Sequence, residues 1–421
     1  MIKGKITTNF FTKGALAAAL FLSLNVSGGR VFPSEIKITP VADVTAGGGQ
    51  YFYSGSASNG LIGDIYVSPV VNFTPKTALL PIYIGSYRGT KDVRELVGGG
   101  TLTQETQDHA LTVRFITSIA QETIKLRARA GYKIEYVKET KDETWGKGLF
   151  DYARVLGGIE AEKFYSKSSV KVGLDFYQMK YPNYQSLITN TAYQTSLDTT
   201  TYTELSTNAG KDVLDNNNLA LSVLYTRSLS DAYALKLGLD VVNKNFTDQR
   251  VVESNGLFSS TLRKDIVTTL TGSVSGSADE RIRVSLSDSI QSYNSNQNSY
   301  DASGAKFISS YYDYVENTFS PSVSFYLGEF EPRSNLTIYA ELSHRFYRTR
   351  PAQNLTGGYL SENTYQATQT AGIVFKYPLT KNFSVRVSGN YRVSFSNMKY
   401  ENNYKYNYDV YTYFAGINYT L

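Results

Sequence analysis

The chain has 421 residues, with 42 Lys and Arg against 37 Asp and Glu for a formal charge of +5, 35 Tyr and 21 Phe against one Trp, and no Cys. The absence of Cys excludes disulfides, thiolate metal sites and lipid anchoring through an N-terminal cysteine. The small net charge, about +2 once Lys3, Lys5 and Lys13 are removed, is no signature of nucleic-acid binding.

The chain opens on those three lysines, runs through an apolar stretch from Ala15 to Val26 and reaches Ser27, Gly28 and Gly29. That pattern predicts a cleaved signal peptide over residues 1–28, with the mature protein starting near Gly29 or Arg30. The apolar stretch is shorter than the roughly twenty residues a spanning helix needs. Mean hydropathy is −0.28, which a helix-counting scan reads as soluble. A strand, however, needs only about 9 to 11 residues to cross a bilayer, and half of them can be polar.

From Ile36 onward the sequence alternates apolar and polar residues with period two. The pattern is plainest in Ile124–Ile134, Tyr233–Val241, Leu336–Leu342 and Phe383–Phe395. Short turn-forming connections fall at 75–77, 120–122, 166–168, 228–231, 277–280, 328–334 and 378–382. Longer polar stretches alternate with them, at 54–61, 89–108, 139–148, 182–217, 247–262, 293–314, 348–362 and 398–406. The rhythm predicts an all-β, antiparallel up-and-down transmembrane barrel over residues 29–421 with about sixteen strands, between about 14 and 18. An even count places both termini in the periplasm. Pro69, Pro81 and Pro321 fall inside predicted strands and are expected at strand ends or bulges.

Register is decided in the segment 124–134, where Lys125, Arg127, Arg129 and Lys133 share one parity. A one-residue slip would turn all four into lipid, at about 2 to 4 kcal/mol for each one near the midplane. Ile124, Leu126, Ala128, Ala130, Tyr132 and Ile134 therefore face lipid. The last segment, Tyr411-Thr-Tyr-Phe-Ala-Gly-Ile-Asn-Tyr-Thr-Leu421, sets Tyr411, Tyr413, Ala415, Ile417, Tyr419 and Leu421 on one face.

That terminal strand resembles the one that Gram-negative outer-membrane β-barrels present to their insertion machinery, although those usually end in Phe or Trp rather than Leu421. The whole mature chain is similar to barrels of porin-like size, without features of a specific subfamily. The resemblance implies residence in the bacterial outer membrane, contact with the insertion machinery through the last strand, and a homotrimer.

The parity opposite the apolar one assigns the inner wall. It holds Arg114, then Lys125, Arg127, Arg129, Lys133 and Glu135, then Arg154, Glu160 and Glu162, then Lys171 and Asp175. Further along it holds Lys236, Asp240, Lys244, Arg283, Glu341, Arg345, Lys376, Arg386 and Arg392. A symmetric hairpin around residue 143 would set Lys125 opposite Glu162, Arg127 opposite Glu160 and Lys133 opposite Arg154. A wall richer in cations biases a pore toward anions, whereas the same charges paired across strands would simply hold the wall together. On the first reading, reversing Arg127 and Arg129 to Glu lowers anion preference and spares folding. The connection from Pro182 to Asn217, with Asp198, Glu204, Asp212 and Asp215, is the candidate constriction.

No enzyme is expected, and no cofactor or metal site. The two histidines, His109 beside a loop and His344 on a strand, have no evident partner; His344 has lipid-facing parity and reads as an interface residue. The predicted function is an outer-membrane porin-like channel for passive or weakly selective diffusion of small hydrophilic, neutral or anionic solutes. Two other roles fit the same pattern: a component of an export or surface-assembly system, and a structural or adhesive barrel with surface-binding loops.

Overall fold

The computed structural model describes residues 36–91, 104–138, 143–184, 212–301, 304–329, 331–401 and 405–421. The signal peptide predicted over 1–28 lies outside them, as do residues 185–211 of the candidate constriction. The described residues form strands and connections with no helix. In chain order the strands are β1 (Lys37–Thr39), β2 (Ala42–Tyr53), β3 (Ser56–Val67), β4 (Val70–Thr74), β5 (Thr77–Lys91), β6 (Gln104–Ile119), β7 (Ile124–Lys138), β8 (Tyr152–Phe164), β9 (Ser168–Lys180) and β10 (Asn216–Ser228). They continue with β11 (Tyr233–Val252), β12 (Phe258–Ser277), β13 (Ile282–Ser295), β14 (Ser299–Asp301), β15 (Lys306–Ile308), β16 (Tyr314–Leu327), β17 (Ser334–Gln353), β18 (Tyr359–Pro378), β19 (Phe383–Ser396) and β20 (Tyr408–Thr420).

Each strand pairs antiparallel with its neighbours, and β2 pairs with both β3 and β20, from Asp43 opposite Thr420 to Tyr53 opposite Val410. Leu421 completes the seam by donating its backbone N–H to the Ala42 carbonyl at 2.8 Å. With β1 and β4 continuing β2 and β3, and the β14–β15 hairpin standing apart, the wall is a closed barrel of 16 strands. Closure leaves no edge of unpaired N–H and C=O groups, which a bilayer could not satisfy.

Pro69 falls in the gap between β3 and β4, at a strand end as expected, whereas Pro81 and Pro321 lie within β5 and β16. Thr39 opposite Val70 and Ala42 opposite Val67 place Pro40 against Pro69; Asn72 opposite Ala78 and Val67 opposite Tyr83 place Pro69 against Pro81. Three residues without a backbone donor thus share one row, and the break between β1 and β2 and between β3 and β4 is their common gap in the ladder. Pro321 opposes Leu286 on β13, while the ladder to β17 skips it between Phe319–Leu342 and Ser322–Tyr339. These are interruptions of the ladder without a change of register.

The predicted loops are shorter than the polar composition suggests. Residues 54–61 are a two-residue hairpin, Ser54 and Gly55 at φ 44° and 87°, followed directly by β3. Positive φ at both central positions matches the twist of the flanking strands. β11, β12, β17 and β18 are each 20 residues long, about twice what crosses a bilayer, so much of 247–262 and 348–362 is strand.

Side-chain parity separates two faces. Leu61, Ile65, Leu111, Val113, Leu126, Ile159, Leu174, Leu221, Leu237, Leu270, Leu286, Ile338, Ile373, Val387 and Ile417 are exposed on the outer one. Tyr377 and Phe383 bound this belt near the short turns; Tyr132, Phe176, Phe346, Tyr391, Tyr411 and Tyr413 bound it toward the longer connections. Such amphipathic rings suit the two membrane interfaces. Leu270→Arg is expected to lower stability in lipid vesicles by about 2–4 kcal/mol, whereas Thr271→Arg on the opposite face costs far less; urea unfolding of the two refolded variants checks this.

Candidate functional site

The inner wall is the candidate site. All the cations and carboxylates assigned to it from the sequence lie on the face opposite the apolar belt, but they fall into two unlike groups. On β6 to β9 they are interlocked. Lys125 opposes Glu162, Arg127 opposes Glu160 and Lys133 opposes Arg154, the register that the symmetric hairpin implies. Arg127 donates to Glu160 and to Glu162, both at 2.6 Å, and Lys171 reaches Glu160 at 3.6 Å. Arg129 grips Asp175 across two strands through Nε at 2.8 Å and through Nη2. Lys133 lies 2.5 Å from Asp108 and 3.0 Å from Glu135, which also accepts from the Tyr152 hydroxyl at 2.7 Å.

Pairing of this kind is what like-charge neighbours need. Arg114 stands directly opposite Arg129 and Lys133 opposite Arg154, an arrangement that is unfavourable unless the charge is matched nearby. Three cations of this group, Arg114, Lys125 and Arg154, make no ion pair among the described residues; Lys125 and Arg154 instead lie over the Phe164 and Tyr177 rings at 5.0 and 5.7 Å. These pairs argue against the expectation that reversing Arg127 and Arg129 spares folding, since each holds carboxylates that would be left facing new ones.

The remaining assigned residues are more open. Lys236 and Asp240 on β11, Arg283 on β13, Glu341 on β17 and Arg386 on β19 are exposed on the inner face. Arg283 lies 5.8 Å from the Tyr326 ring. Arg345 is held by Glu316, with Nε at 2.7 Å, and by the Tyr314 ring at 4.3 Å. Arg392 donates to the Thr370 hydroxyl at 3.2 Å.

Several inner-wall partners escape the sequence reading. Asp64 with Arg88 at 2.7 Å and Asp108 lie where both faces carry apolar residues, so alternation gives no parity. Ile62 and Ile84 point inward beside them, and Ile84 is 47% exposed there. Arg263 and Asp265, paired at 2.8 Å, border a stretch read as loop. Arg263 lies between Phe246 and Tyr312, at 4.6 and 4.5 Å.

At the long-connection end, Arg350 is stacked against Tyr311 and Tyr347 at 4.6 and 4.9 Å, and burial pushes the Tyr311 hydroxyl up to about 12. Asp212 and Asp215 are the described acids of the candidate constriction. Asp215 accepts the Tyr181 N–H at 2.8 Å, which ties that carboxylate to the end of β9, and burial raises it above the usual carboxylate range.

The histidines are placed outward. His109 lies within β6, its Nδ1 2.9 Å from the Tyr83 hydroxyl, so the expectation that it lacks a partner fails. His344 opposes Asn317 and Ala367 and is flanked by Leu342 and Phe346, none of them a nucleophile. Asp288 also faces outward, between Leu286 and Ile290, and accepts from Asn317 at 2.8 Å.

No family model matches the sequence, and no curated protein matches it. Among solved structures the chain is similar to the trimer form of OmpT, an outer membrane protein of Vibrio cholerae, with a TM-score of 0.47 and 8% identity over 92% of this chain and 100% of that one. It is similar to OccAB1 of Acinetobacter baumannii, with a TM-score of 0.46 and 10% identity over 94% and 99%. It is also similar to an anion-selective porin from Comamonas acidovorans, with a TM-score of 0.44 and 8% identity over 92% and 100%.

In a double-substitution cycle, Arg129→Met and Asp175→Leu should each cost about 1–3 kcal/mol, because each strands a half-buried charge. The pair together should cost less than the two costs added, and urea midpoints of the refolded proteins measure the difference. The placement of the residues needs no appeal to resemblance: a closed ladder, an apolar outer belt between aromatic rings and a charged inner wall are the architecture of a transmembrane β-barrel.

Proposed function

We propose that the barrel is a porin-like channel through which small hydrophilic solutes diffuse, with a bias toward anions. The observation that carries this reading is the exposure of inward side chains on several strands, among them Lys236, Asp240, Arg283, Glu341 and Arg386. A barrel of this strand number encloses more space than side chains fill. Groups that touch water from the inner wall leave a passage between them.

The bias follows from which charges remain unmatched. The β6–β9 lattice spends most of its cations on its own carboxylates, so it contributes little field. Arg114, Lys125, Arg154, Lys236, Arg283, Lys376 and Arg386 have no ion-pair partner among the described residues, against Asp43, Asp240 and Glu341 on the same face. An excess of fixed positive charge raises the local concentration of anions. In this reading the short turns and both termini face the periplasm, the longer connections face outside, residues 1–28 are the signal peptide, and the barrel works without a catalytic centre.

Refolded protein inserted into a planar bilayer should give stable conductance steps with an anion-directed reversal potential across a salt gradient. Arg283→Gln combined with Lys236→Gln should move that potential toward zero. Silence from protein shown to be folded and inserted would overturn the channel reading.

A further inference from the structure

Lys376 and Arg386 stand directly opposite each other on β18 and β19, both inward. This is the third pair of facing cations on the inner wall, and the one in which neither member has an ion-pair partner among the described residues. Lys376 donates to the Asn418 side-chain oxygen at 2.8 Å, and the Asn418 amide donates to Asp43 at 2.9 Å and to Thr45 at 3.0 Å. Asn418 is 6% exposed. A buried amide therefore fixes Lys376 in place without matching its charge.

The row that holds the pair continues through Gly416 on β20 and Gly47 on β2 to Ile62 on β3. A Cβ at Gly416 would meet the Ala46 carbonyl oxygen at 2.3 Å, and one at Gly47 the Ala415 carbonyl oxygen at 2.7 Å. The seam demands glycine at both positions, and its consequence is a floor without side chains. Three strand spacings, about 14 Å, separate the Arg386 backbone from that of Ile62. Beyond the floor, Ile62 faces Arg88, which is held by Asp64 at 2.7 Å, so Ile62 is the apolar contact at this end of the row.

We propose that this stretch of inner wall binds a small organic anion with an apolar body. Its anionic group sits between Lys376 and Arg386, and its body lies across Gly416 and Gly47 against Ile62. The anion supplies the charge that the like-charged pair lacks. The inference rests on the channel reading for its biological sense, although binding itself does not depend on conduction.

The probe is 4-fluorobenzoate, titrated into refolded barrel in detergent and followed by fluorine NMR, with acetate and benzyl alcohol as competitors. Saturable binding is expected, displaced at least tenfold less well by acetate, which lacks the body, and by benzyl alcohol, which lacks the charge. Arg386→Gln and Lys376→Gln should each weaken it about tenfold, and Ile62→Ser should weaken fluorobenzoate while leaving acetate unchanged; strand circular dichroism shows that each variant is folded. Equal competition by acetate, or affinity unmoved in all three folded variants, overturns the site. A barrel that conducts but does not bind keeps the channel and loses the site, whereas one that binds but does not conduct does the reverse.

Discussion

Everything in this molecule depends on one constraint: inside a bilayer each backbone N–H and C=O must find its partner within the protein. The chain meets it by pairing its last long strand with its first, and the consequences follow in order. Closure makes the wall a tube, the tube has two faces, and the period of two along each strand sends alternate side chains to them. The prolines respect the same constraint. Pro40, Pro69 and Pro81 share one row, so residues that cannot donate are placed where their neighbours do not ask them to.

The inner wall divides its labour. From β6 to β9, charges of both signs are woven together over four strands, and Arg129 reaches past β8 to a carboxylate two strands away. Such a lattice fixes the register of the strands that carry it, because a slip would turn every member into hydrocarbon. On β11, β13, β18 and β19, Lys236, Arg283, Lys376 and Arg386 are more open and have no ion-pair partner among the described residues. In the proposed channel, selectivity would rest on these sparse charges, while the dense ones hold the wall together. A residue list alone, in which Arg127 and Arg386 look alike, hides the distinction.

How much was legible in the sequence differs by region for physical reasons. The strand count and the cross-strand pairs of β7 and β8 could be read because four cations on one parity leave a single tolerable register. The partners Asp64, Asp108 and Arg88 could not, because Ile62 and Ile84 face inward and the alternation between faces disappears. Polar composition also misled at 54–61, 247–262 and 348–362. Strand that stands clear of the membrane is polar on both sides, and only its hydrogen-bond ladder tells it from loop. His109 was placed beside a loop for the same reason, whereas it sits within β6 with Tyr83 as its neighbour. The missing charge around Lys376 and Arg386 was invisible until the register showed which carboxylates lie near and which do not.

The central claim is that parity alone sorts these side chains between lipid and water. A chain without cysteine allows the direct measurement: cysteine placed in turn at each residue from 124 to 134, spin-labelled in reconstituted vesicles, and scored for collision with oxygen and with a water-soluble nickel chelate. The account predicts oxygen access at 124, 126, 128, 130, 132 and 134 and nickel access at the positions between, alternating without a slip. Uniform access to the nickel reagent along the segment, or alternation with the opposite phase, would contradict it.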